Sequence, residues 1–131
     1  MGFLSKDDIN KADDLKHEDV SVPEWGGTVR LLMLTGTQRD DFEMKSIDQR
    51  AKDQKLNLVN FRARLLSLCL VDQENRRLFS DVEVPLLGQK AAPVLERLFD
   101  KARSMNGMSE EDVEELTEGF ESDPNELSIT D

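Results

Sequence analysis

Apolar positions along the chain change their period several times, and each change marks an element. Leu4, Ile9, Ala12 and Leu15 are set among charged residues at helical spacing. Ser5 stands where it can cap backbone N–H groups, Asp8 faces the positive helix end, and Leu4 with Ile9 occupies the positions of a hydrophobic staple. This predicts a short acidic helix over about 5–15. Alternation then takes over in Asp19-Val-Ser-Val and in Thr28-Val-Arg-Leu-Leu-Met-Leu, with Pro23-Glu-Trp-Gly-Gly as turn residues between them. The pattern predicts a β-hairpin with Val29, Leu31 and Met33 on one face and Arg30 opposite. Two strands alone are marginal, so the ribbon must pack on helices or pair with another chain's edge.

Thr35 followed by Gln38 is a further capping signal, opening a helix from about 37 into the region 44–47. A charged stretch, 48–55, has little to bury. From 56 to 71 the pattern is helical and broad: Leu58, Phe61, Leu65, Leu68 and Cys69 form one stripe, widened by Val59, Leu66 and Leu70. A helix apolar over so much of its circumference belongs at the centre of a domain. Asp72-Gln-Glu-Asn is a polar turn. Ser80 with Glu83 repeats the capping device, with Phe79 and Val84 as its staple. Pro85 and Gly88 keep the helix that follows short. Leu95, Leu98, Phe99, Ala102 and Met105 make a clean amphipathic stripe ended by Asn106-Gly107. Ser109 opens an acidic last helix, about 109–120, carrying Val113, Leu116 and Phe120. The residues after it read as disordered. The predicted fold is α+β: a small N-terminal β-hairpin or sheet packed on several α-helices, then an acidic C-terminal helix and a disordered tail. One domain spans 1–121, and 122–131 is the tail.

The charge sharpens this division. The chain has 131 residues and a formal charge of −11, and all 17 Lys and Arg lie at or before Arg103. Set against the 18 acids of the same stretch they leave −1, while ten acids give the last 28 residues −10. A near-neutral body with an acidic appendage is not the surface of a whole-molecule nucleic-acid mimic.

Single-residue counts exclude whole chemistries. One Cys (Cys69) forbids an internal disulfide, and with one His (His17) no zinc site of the usual kind can be built from one chain. A His17–Cys69 catalytic pair is conceivable, but a buried helical Cys is usually a small hydrophobe. Gly26-Gly27 lacks the Lys and Ser/Thr offsets of a phosphate loop. Arg62, Arg64, Arg76 and Arg77 sit among acids, the pattern of a solvated face rather than a nucleic-acid site. No apolar run approaches the roughly 20 residues of a membrane span, and the N-terminus has no hydrophobic signal core. The expectation is a soluble cytoplasmic protein with no catalytic, cofactor or metal site, no nucleic-acid partner and no membrane partner. Partner-binding candidates are Trp25, which either anchors an interface or folds back to cap the core, and the stripe Met105, Met108, Val113, Leu116 and Phe120.

In order, Leu4-Ser-Lys-Asp-Asp-Ile, Ala12-Asp-Asp-Leu-Lys, Val20-Ser-Val-Pro-Glu-Trp-Gly-Gly-Thr-Val-Arg, Leu34-Thr-Gly-Thr-Gln-Arg-Asp-Asp-Phe-Glu, Leu70-Val-Asp, Arg77-Leu-Phe-Ser-Asp, Leu87-Gly, Leu95-Glu-Arg-Leu-Phe and Met105-Asn-Gly-Met-Ser-Glu-Glu-Asp-Val-Glu-Glu-Leu resemble a known family over most of 4–117. That family is the tail assembly chaperones of long, non-contractile-tailed bacteriophages and related prophages; Pro85 is a departure from a smooth helix. The resemblance implies a non-catalytic α+β protein of the host bacterial cytoplasm. Such a protein binds the phage tape measure protein, keeps it soluble, helps tail tube protein assemble around it, and is absent from the mature virion. It also implies a longer form made by translational frameshifting. Homo-oligomers or repeated copies on one tape measure are expected. The competing reading is an acidic helical adaptor that binds a basic protein partner.

Overall fold

A computed structural model describes residues 2–46 and 59–108. Among them are five α-helices and three strands: α1 (Lys6–Lys11), β1 (His17–Val22), β2 (Gly27–Leu32), α2 (Gly36–Lys45), α3 (Phe61–Cys69), β3 (Leu70–Val71), α4 (Val84–Leu87) and α5 (Ala92–Met105). The α+β class is as expected. The acidic segment 109–120 and the tail lie outside the described residues.

Capping chemistry falls where the sequence puts it. Ser5 Oγ accepts the Asp8 N–H at 3.1 Å while Asp8 takes the Ser5 N–H at 2.9 Å. Thr35 and Gln38 do the same at 3.1 and 3.0 Å. At Ser80, Glu83 Oε1 accepts both the backbone N–H (2.8 Å) and the hydroxyl (3.1 Å). These bonds satisfy N–H groups that the first helical turn leaves open. Pro85 sits in the first turn of α4, after a 3-10 turn Asp81–Glu83. A proline is tolerated there because its missing N–H would have had no intrahelical partner.

The sheet has three strands, not two, in the order β1-β2-β3, antiparallel throughout. Helix α3 stops at Cys69, and Leu70 and Val71 pair with Leu31 and Arg30. The apolar run to Val71 suits a helix and a buried strand equally, so periodicity does not separate them. The free edge of β2 does, since unpaired backbone groups there would stay unsatisfied. Helix α1 ends at Lys11 rather than near 15, because it buries no residue. Continuing it would also set Asp13 and Asp14 against the negative helix end.

The core lies between one sheet face and α3, α5 and α2. Seven of the nine residues of α3 are buried, which makes it the central element. Phe61 joins the layers: its ring centroid is 5.2 Å from Phe42 of α2 and 5.7 Å from Phe99 of α5. Leu98 and Ala102 of α5 are fully buried, as are Leu31 and Val22 of the sheet. The two buried hydroxyls stay inside the ladder, Ser46 donating to the Phe42 carbonyl (2.7 Å) and Ser67 to the Arg64 carbonyl (2.8 Å). Among the described residues no buried side-chain polar atom lacks a partner.

Candidate partner-binding surface

The hairpin tip is held down on α5. Pro23–Trp25 form a 3-10 turn, and Gly26 follows at φ +79°, a left-handed conformation that suits glycine. Glu24 takes both terminal nitrogens of Arg97 at 2.8 and 2.9 Å. That two-pronged bond lowers the Glu24 pKa from 4.5 to about 2. Lys101, one turn on, reaches Glu18 of β1. Docked this way, Trp25 is half-buried and packs against the core. It folds back against the core and keeps part of its ring exposed at the tip.

Where the chain leaves α5, Asn106 ties three elements together. Its Oδ1 accepts the Leu34 N–H at 2.7 Å, and its Nδ2 donates to the Ala102 carbonyl at 2.8 Å and to Cys69 Sγ at 3.9 Å. Its own carbonyl accepts from Arg39 of α2 at 3.4 Å. Met105 is half-buried against the core. Met108, expected on a partner surface, is only 4% exposed and belongs to the core. Its backbone is clasped by Arg103, whose carbonyl accepts the Met108 N–H at 2.9 Å and whose guanidinium donates to the Met108 carbonyl at 3.3 Å. A thioether on a chain held at both its amide groups fills the gap it is brought to. Val113, Leu116 and Phe120 lie outside the described residues. Of the six candidates, the structure thus gathers Met105 and Met108 at the end of α5 and puts Trp25 at the hairpin tip.

The chemistry-bearing residues are dispersed. Cys69 is 1% exposed and burial pushes its thiol up to about 12, a protonated thiol at neutral pH. His17 is exposed at the start of β1. The four arginines point to separate tasks. Arg62 lies over the Phe99 ring at 5.8 Å, and Arg76 pairs with Asp72 and Glu74. Arg77 donates to Asp81 at 2.9 Å and to the Ser67 carbonyl at 3.0 Å. Arg64 donates to the Val59 carbonyl at 2.6 Å and to Ser46 Oγ at 3.5 Å. Among the described residues no group of three or more His, Cys, Asp or Glu is placed to hold a metal ion. No helix there is long and apolar enough to cross a membrane.

Exposed apolar surface lies elsewhere than periodicity suggested. Phe3, Leu4 and Ile9 of the N-terminal arm are exposed, as are Met44, Val82 and Leu86 around the α2–α4 side and Leu78 beside β2 and β3. The staple spacing of Leu4 and Ile9 predicts a local contact that covers them, yet both are exposed. That spacing carries no signal that none of the described residues covers them.

Residues 8–118 match the sequence family described as phage tail assembly chaperone. Among solved structures, that of the bacteriophage HK97 tail assembly chaperone is similar, with a TM-score of 0.56 and 24% sequence identity. The similarity covers 76% of this chain and 89% of that one, and it supports the same fold. No curated protein matches the chain.

Proposed function

The chain belongs to the phage tail assembly chaperone family, and from that premise we propose that it binds the tape measure protein in the host bacterial cytoplasm. It keeps that protein soluble, promotes tail tube assembly around it, and leaves before the virion is complete. It does this without catalysis. The observation that carries the reading is the family match across 8–118, most of the chain. The surface is compatible with it. A protein that holds a long apolar client needs uncovered apolar groups of its own and enough charge to keep the complex in solution. The exposed residues of the arm and of the α2–α4 side meet the first need, and the −10 carried by the last 28 residues meets the second. Client contacts on this reading come from Trp25, Met105 and the Val113, Leu116, Phe120 stripe, with Met108 as the buried anchor from which that stripe departs. The single domain runs to residue 121. Partners beyond the client are the tail tube protein, a longer frameshifted form, and further copies of the chain.

The test is co-expression with the long helical protein encoded just downstream, followed by pull-down from the soluble fraction. Recovery of a client that is insoluble alone, surviving moderate salt, is the expected result. Failure to recover it, together with salt-sensitive binding to a basic protein, would replace the chaperone reading with that of an acidic adaptor.

A further inference from the structure

Asn106 is followed by Gly107, and the sequence has no other Asn-Gly step: Asn10, Asn57, Asn60, Asn75 and Asn125 precede Lys, Leu, Phe, Arg and Glu. An Asn-Gly step carries a chemistry of its own. The glycine amide nitrogen attacks the asparagine Cγ, and no Cβ on the glycine obstructs that approach. The N–H proton goes to solvent hydroxide, a C–N bond closes a five-membered imide, and Nδ2 leaves as ammonia. Water then opens the imide at either carbonyl, which gives aspartate or its β-linked isomer. Water is the only co-reactant.

The fold withholds this reaction by position. The Asn106 ψ of 10° turns the Gly107 nitrogen away from the side chain, whereas ring closure needs that nitrogen on the same side of the Cα–C bond as Cβ. The Gly107 N–H is also engaged, donating to the Ser104 carbonyl at 3.1 Å. The leaving Nδ2 donates to the Ala102 carbonyl at 2.8 Å and to Cys69 Sγ at 3.9 Å. Arg103 holds Met108 at both its amide groups, at 2.9 and 3.3 Å, and Arg39 holds the Asn106 carbonyl at 3.4 Å. One contact works the other way. The Leu34 N–H, 2.7 Å from Oδ1, polarises the amide toward attack. The electrophile is prepared and only the nucleophile is kept off. Gly107 is exposed and Asn106 half-buried, so the nucleophile is freed when residues 106–108 detach, without global unfolding.

We infer that Asn106 is a deamidation site gated by that detachment: the native chain converts at a rate set by how often the turn opens. Conversion is one-way, and it leaves the turn looser. Aspartate loses the donor to the Ala102 carbonyl and puts a negative charge at the C-terminal end of α5. The β-linked isomer adds a methylene to the main chain between the Asn106 Cα and the Gly107 nitrogen, so Met108 no longer meets its seat in the core. Either product loosens the root of the acidic segment that follows. The inference does not rest on the proposed function, because it concerns the chain alone.

Ageing of the full chain in mildly alkaline buffer, with and without urea, tests it. Peptide mass mapping follows conversion at each asparagine, and enzymatic methylation of isoaspartate follows the β-linked product. In urea, Asn106 should convert at least tenfold faster than the other five asparagines, and folding should slow it at least tenfold. Arg103→Ala and Arg39→Ala each remove a contact that holds the turn. With circular dichroism unchanged, each should speed native conversion severalfold and leave the rate in urea as it was. Hydrogen exchange on the converted chain, separated by ion exchange, should show lost protection of the Met108 N–H. Equal rates in the folded and unfolded chains would overturn the gate. So would native conversion that neither arginine variant accelerates, or conversion absent from the native wild type and both variants. A converted chain that keeps its Met108 protection would overturn the loosening.

Discussion

Asn106→Ala is expected to be among the most damaging single changes to a polar side chain in this protein, although Asn106 is neither in the apolar core nor charged. The amide oxygen is the partner of the Leu34 N–H at 2.7 Å, and Leu34 is only 8% exposed. Removing the oxygen leaves that N–H without a partner at a place where water enters poorly. A buried donor left unsatisfied costs about 1–3 kcal/mol. The Ala102 carbonyl suffers less, since it still accepts the Asn106 backbone N–H at 3.2 Å after losing the side-chain donor at 2.8 Å. The Cys69 contact at 3.9 Å is a weak sulfur bond and adds little. The sum is about 2 kcal/mol, nearly all of it from one N–H. In a domain of this size that corresponds to a fall in Tm of about 10 °C. Urea denaturation followed by circular dichroism measures it: the midpoint should fall while the slope m stays constant. Asn106→Asp provides the contrast. It keeps an acceptor for Leu34 but places a negative charge at the C-terminal end of α5, facing the Ala102 carbonyl. It should therefore be destabilised at pH 7 and recover part of its stability as the new carboxyl protonates. Asn106→Ala within 0.5 kcal/mol of wild type would refute the reasoning, because it would mean that Leu34 finds water or another acceptor.

The Glu24–Arg97 bond predicts an acid limb. A carboxylate whose folded pKa is lowered from 4.5 to about 2 stabilises the fold above its unfolded value and loses that contribution as pH falls through the same interval. Glu24→Gln should flatten the pH dependence of Tm between about 4.5 and 2, and an unaltered profile would refute the assignment. Thr35→Ala should lower global stability by about 1 kcal/mol through its lost cap, whereas Ser5→Ala should leave the isolated chain's unfolding midpoint unchanged, because α1 buries none of its residues. Gly88→Ala should destabilise by about 1 kcal/mol, because a Cβ there collides with the Asn60 amide and Asn60 must move. Cys69 should resist iodoacetamide at pH 8 in the native state and react only at the rate of unfolding, as its burial and a pKa of about 12 require; rapid native alkylation would contradict its placement.

Local rules were legible in the residues themselves. The capping pairs Ser5–Asp8, Thr35–Gln38 and Ser80–Glu83 form because partners three residues apart meet whatever the rest of the chain does. The hairpin and the amphipathic stripe of α5 follow from periods of 2 and 3.6 in the same way. The split between a neutral body and an acidic end is simple counting. What depends on neighbours distant in sequence was decided only by the tertiary structure. Leu70 and Val71 leave the helix because β2 offers them an edge, and nothing in their own apolar character says so. Gly88 is needed for the approach of Asn60, not for a left-handed cap: its φ is −64°. Met108 turns inward because Arg103 holds the chain there, while Phe3, Leu4 and Ile9 stay outward because none of the described residues covers them. The candidate surface suffered most from this limit. Spacing along a helix shows which side chains share a face, but whether that face is covered depends on what the fold brings against it, a property of packing in three dimensions rather than of period along the chain.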